Sequence, residues 1–162
     1  MDSSEVNRVK REIRQLVLAI KDMRLTVEGA ETLSSVDYFP NTPLIETGMV
    51  VTYCRAYSLV KGRRPPVTAQ MLPEDDRGLS LHNELVKLRD TIYAHSDETD
   101  NRVVVDPFGA HNYTEGSRPW KREAFGPVIE LARAQEAKFR EALTSREASL
   151  RAAGVPPDPS LL

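Results

Sequence analysis

Between Val6 and Ala30 the apolar residues fall at Val6, Val9, Ile13, Leu16, Ile20, Met23, Val27 and Ala30, in alternating steps of three and four. Only an α-helix gathers that spacing into one continuous stripe. Short polar side chains from Asp2 to Ser4 supply the cap that starts it. A stripe more than three heptads long must be covered by something. A second copy of the chain could do so as a coiled coil, or other helices of the same chain could do so as a bundle. Leu25 and Leu33 widen the stripe beyond a two-stranded seam, and further apolar runs downstream need a partner of their own. The bundle is therefore the expectation.

Those further runs read as three more helices. Pro40 and Pro43 bracket a break, with Pro43 after Thr42 marking a helix start. The second helix is expected from Leu44 to Lys61, with Ile45, Met49, Tyr53, Ala56 and Val60 on one side and Gly62 as its stop. Val50, Val51, Cys54, Tyr57 and Leu59 make it apolar nearly all round, as suits a central helix. Lys61, Arg63 and Arg64, with Arg55 upstream, form the most basic patch. It reads either as a phosphate site or, more simply, as cations at the negative end of a helix dipole. Pro65, Pro66 and Pro73 mark a loop, after which Glu74, Asp75 and Asp76 set negative charge at the start of a third helix.

The third helix carries Leu81, Leu85, Leu88 and Ile92 and ends near His95 or Ser96. Val103 to Val105 has the residues of a strand but no evident partner, and reads as extended loop. Residues 107–119, with His111 and Tyr113, form a long loop, with a surface location the default for the histidine. Trp120 and Phe125 anchor the return, Gly126 and Pro127 open or kink the last helix, and Gly154 ends it. One all-α domain is thus expected over 1–154, followed by a Pro-rich disordered tail over 155–162.

The 162 residues are enough for one core. A net charge of -2 argues against a broadly basic nucleic-acid coat. The lone Cys54 excludes an intrachain disulfide, points to a reducing compartment and reads as a buried thiol. The N-terminus has no apolar signal core, and no run approaches the roughly 20 apolar residues that span a bilayer. A cytoplasmic location without membrane contact is the expectation. His82, His95 and His111 lack the spacing of metal ligands, and no cofactor motif is evident.

The concentrated chemistry lies in LRDTIYAHSD. Arg89, followed by Asp90, stands on the shoulder of the third helix's apolar seam, and His95 falls on the seam where an aliphatic residue would be ordinary. An arginine, a polar residue and a histidine a few positions later, near the end of a bundle helix, resemble the motif of the HEPN superfamily of small all-α bundles. The similarity extends loosely from Leu44 to Glu98 and is nearest to the family's uncharacterised and abortive-infection-type members. The resemblance implies a four-helix bundle with a long loop between helices three and four. It also implies a homodimer, metal-independent cleavage of RNA and an antitoxin or regulatory partner.

In that chemistry RNA supplies its own nucleophile, the 2′-hydroxyl. The protein must then supply proton transfer and charge stabilisation. An imidazole with an ordinary pKa of about 6.5 suits the first task. A guanidinium that forks onto a phosphate suits the second. Asp90 would hold Arg89 or orient His95. Six residues turn a straight helix through about 600°, leaving Arg89 and His95 roughly 120° apart, so convergence needs a long side chain, an unwound end or a second chain. The alternative is a non-catalytic helical dimerisation or interaction module, in which Arg89 pairs with a nearby carboxylate and His95 caps its helix.

Overall fold

The computed structural model describes residues 1–35, 42–58, 65–90, 103–105, 111–113 and 122–156. Among them four α-helices carry the fold, as the all-α reading expects: α1 (Ser3–Ser35), α2 (Thr42–Arg55), α3 (Asp76–Leu88) and α4 (Phe125–Ala152). The Val103–Val105 run finds the partner that sequence did not show. It pairs antiparallel with His111–Tyr113, Val104 opposite Asn112, and the two segments are named β1 and β2. No helix among the described residues is long and apolar enough to cross a membrane.

α1 starts where its cap predicts. The Asp2 carboxylate accepts from the Glu5 N–H at 2.8 Å, satisfying one of the donors that a helix start leaves unbonded. Val9, Ile13, Leu16, Ile20, Met23 and Ala30 of the predicted stripe are buried. α4 runs antiparallel along the whole of α1. Arg146 meets Glu12, Arg24 meets Glu136, and Arg133 meets Glu31. α2 packs beside the second half of α1, with Met49 against Gly29. The stripe is thus covered from within the chain, and the coiled-coil alternative through this face is excluded. Leu33 is buried as the widened stripe requires, but Leu25 is 40% exposed and belongs to the opposite face.

The principal core joins Leu16, Met23 and Leu33 of α1, Val50, Tyr53 and Cys54 of α2, Leu85 and Leu88 of α3, and Phe125, Val128 and Phe139 of α4. A smaller cluster of Val9, Ile13 and Leu150 closes the far end of the α1–α4 pair. There the last turn of α4 forms a Schellman cap. The Val155 N–H bonds to the Leu150 carbonyl, the Gly154 N–H bonds to the Arg151 carbonyl, and Gly154 adopts φ 71°. Val155 then packs on the small cluster; 157–162 lie outside the described residues.

α2 ends at Arg55, a turn and a half before the expected Lys61. Hydroxyl groups take over carbonyls that a continuing helix would have used. Ser58 Oγ donates to the Cys54 carbonyl at 2.8 Å, and Thr68 Oγ1 donates to the Ala56 carbonyl. Arg55 accordingly leaves the basic patch that sequence assigned it to and forks onto Asp22 of α1. Asp22 is buried, and that hydrogen-bonded fork, against an opposing smaller effect of burial, raises the Arg55 pKa above its ordinary value. Lys61, Arg63 and Arg64 lie outside the described residues.

Two substitutions test this account by chemical denaturation. Leu16 is fully buried, so Leu16→Ala should cost about 2–5 kcal/mol through lost transfer energy and a residual cavity. Gly154→Ala forces a Cβ into left-handed backbone and should cost about 1 kcal/mol. A loss at Gly154 equal to that at Leu16 would contradict the packing described.

Candidate functional site

α3 is held at both ends. At its start the Asp75 carboxylate accepts from the Gly78 N–H at 2.7 Å. A Cβ on Gly78 would lie 2.8 Å from Asp75 Oδ2 and 3.0 Å from Pro73, so a larger residue there would force the capping carboxylate to shift. Its inward face is Gly78, His82, Leu85 and Leu88. Leu85 and Leu88 of the expected seam are buried, whereas Leu81 is only partly buried and His82 joins the inward face.

Arg89 follows directly on Leu88, where the helix widens into a π-type turn at Arg89 and Asp90. Its side chain is 26% exposed. Nε reaches Asp90 Oδ1 at 2.7 Å, Nη2 reaches the same oxygen at 2.6 Å, and Nη1 donates to Ser58 Oγ at 2.6 Å. The Ser58 hydroxyl therefore accepts from Arg89 while donating to the end of α2. A guanidinium gripped on two sides loses little further freedom on meeting an anion. The three contacts use three of its five N–H groups, leaving two that no described residue engages. Asp90 thus grips Arg89 from the next position in the chain. His95, the expected acid/base group, lies outside the described residues, as does Ser96.

One group of polar side chains went unsingled by sequence. The Tyr53 hydroxyl and His82 Nδ1 share a hydrogen bond at 3.0 Å, and the Tyr57 hydroxyl donates to Gln135 Oε1 at 3.0 Å. The His82 ring stands edge-on to Tyr57, with centroids 4.7 Å apart. All four residues are buried. Burial lowers the His82 pKa and raises those of both tyrosines, so the network is neutral near pH 7. The signal was present in the spacing, since His82 precedes Leu85 by three. Cys54 is buried as expected; its thiol pKa is pushed up to about 12 by burial, against a smaller downward pull from Arg89. It donates to the Leu85 carbonyl rather than serving as a nucleophile.

At the opposite end of α3 a cleft of about 380 Å³ opens between its first turn and α4, lined in part by Glu74, Asp75, Arg77, Gln135 and Lys138. Lys138 is engaged there by the Glu74 carboxylate at 2.6 Å and the Leu72 carbonyl at 3.0 Å. About 12 Å of helix lies between Leu81, the last α3 residue lining this cleft, and Arg89, so the two do not form one site.

Set against protein-family models, curated proteins and solved structures, the chain matches none of them. The reading of its site rests on its own residues.

The buried imidazole yields a pH prediction. Its folded pKa lies below the unfolded value of about 6.5, so the unfolded state binds the extra proton first. Stability should therefore be fully present above the unfolded pKa and fall as pH drops below it. Urea unfolding at pH 7.5 and 5.5 should show this loss in the native protein and a smaller loss in His82→Phe. An identical pH dependence in both would remove His82 as its source.

Proposed function

We propose that this chain is a HEPN-like, metal-independent endoribonuclease of the toxin or defence kind, in which Arg89 binds the scissile phosphate, Asp90 positions Arg89, and His95 transfers the proton. The observation that carries this reading is the mounting of Arg89. It sits at the outer end of a bundle helix, partly open to solvent, with two N–H groups left over from its contacts with Asp90 and Ser58. A planar guanidinium so held suits a bidentate contact with phosphate oxygens. Charge developing on those oxygens as the 2′-hydroxyl attacks would strengthen the contact in the transition state, which is the requirement for catalysis rather than simple binding. The imidazole would accept the 2′-hydroxyl proton or supply one to the leaving 5′-oxygen.

The alternative is a non-catalytic helical interaction module. It draws support from the same carboxylate, because Asp90 already offsets the charge of Arg89 at 2.6 Å. In that case Arg89 joins the ends of α2 and α3 and nothing more.

RNA cleavage in the presence of a chelator separates the two. The ribonuclease reading expects cleavage by the native protein and losses on the order of 100-fold or more in Arg89→Ala and in His95→Ala. Native protein without cleavage, or variants as active as the native protein, would leave the module reading in place.

A further inference from the structure

The cleft between the first turn of α3 and α4 presents three polar groups for which the fold supplies no partner among the described residues. The first is the Gln135 amide nitrogen. Gln135 is only 3% exposed, yet it lines the cleft. Tyr57, itself buried, donates to Oε1 at 3.0 Å, and the planar amide then turns Nε2 the other way. No described residue bonds Nε2, and it is not sealed from solvent, so its two N–H groups look into the cleft. The other two groups are charged. Arg77 on α3 and Glu130 on α4 line the cleft and are exposed. Neither side chain has an ion pair or hydrogen bond among the described residues, and the two stand on facing walls without meeting. The remaining charges are already placed, since Lys138 is held by Glu74 and Asp75 caps α3. Pro127, Leu131 and Gln135 step by four along α4, as Arg77 and Leu81 do along α3, so an apolar lining leads down to the amide.

These groups define what would complement them. Amide donors at the floor and a guanidinium on one wall call for a carboxylate. The carboxylate on the opposite wall calls for an ammonium group, and the leucines and Pro127 call for an apolar side chain. α-Amino acids and short peptides with apolar side chains carry all three. At about 380 Å³ the cleft lies in the lower part of the roughly 300–1,000 Å³ range of small-molecule sites. An isolated phosphate would meet Glu74 and Glu130 as well as Arg77, and a bare metal ion would meet Arg77 and Lys138. Walls of mixed sign suit neither.

We infer that this cleft binds a small zwitterion with an apolar side chain, its carboxylate held by Arg77 and the Gln135 amide and its ammonium group by Glu130. The inference stands independently of the ribonuclease reading, since it uses neither Arg89 nor His95. In NMR titrations of the full chain, L-leucine or the dipeptide leucyl-leucine should bind with a Kd below about 1 mM and shift the Gln135 side-chain amide signals. Tighter binding of leucine assigns the cleft to free amino acids, and tighter binding of the dipeptide assigns it to short peptides. Arg77→Ala should weaken binding by at least ~10-fold and Glu130→Gln by at least ~3-fold, both with helical content unchanged. Leucine methyl ester, which lacks the carboxylate, should bind the native protein and Arg77→Ala equally weakly. N-acetyl-leucine, which lacks the ammonium group, should do the same with Glu130→Gln. Failure of both leucine and leucyl-leucine to bind at about 10 mM overturns the inference. So does binding that neither variant weakens, or binding of the ester and the N-acetyl compound as tight as that of leucine.

Discussion

The structure depends on the need to cover the apolar stripe of α1, a helix about 50 Å long, with helices that are each shorter than it. α1 cannot bury its own face, and α2 is too short to span it. α4 therefore lies along it in the opposite direction, α2 packs beside its second half, and α3 packs on α2. The ion pairs along the α1–α4 edge set the direction of that packing more than its strength. Arg146, Arg133 and Arg24 are each about a third exposed or more, where such pairs contribute little. Stability comes from the fully buried side chains beneath them.

Periodicity made much of this legible. The stripe from Val6 to Ala30, the cap at Asp2, the centrality of α2, the buried Cys54 and the stop at Gly154 all rest on local rules that tertiary packing reinforced. Other features depend on contacts between distant residues. The end of α2 is set by hydroxyls from Ser58 and Thr68, and no propensity anticipates that Thr68 will take the Ala56 carbonyl. Arg55 reads as part of a basic cluster until Asp22 is seen 33 residues earlier in sequence and next to it in space. β1 lacks a visible partner because His111–Tyr113 is not an apolar run. At the candidate site, sequence brought forward Arg89 and Asp90 but passed over His82, whose partners Tyr53 and Tyr57 lie on another helix and meet it only in the fold.

The two ends of α3 serve different purposes. Its first turn is closed by a carboxylate cap packed closely over Gly78. Its last residues carry a guanidinium braced between a neighbouring carboxylate and a hydroxyl of α2. The helix thereby offers a fixed base for a charged group at the molecule's edge. Such a base serves either an ion-pair staple or a phosphate clamp. Which of the two it is depends on the substrate rather than on the scaffold.

The Tyr53–His82 hydrogen bond has a consequence for how this sequence can drift. Each member satisfies a polar atom that the other would otherwise leave stranded in a dry interior. Replacing either alone is costly, whereas exchanging both for aliphatic groups of similar bulk costs little. Descendants of this chain should therefore keep the pair or lose it together, and that joint inheritance would mark α2 and α3 as neighbours even where every other resemblance has worn away.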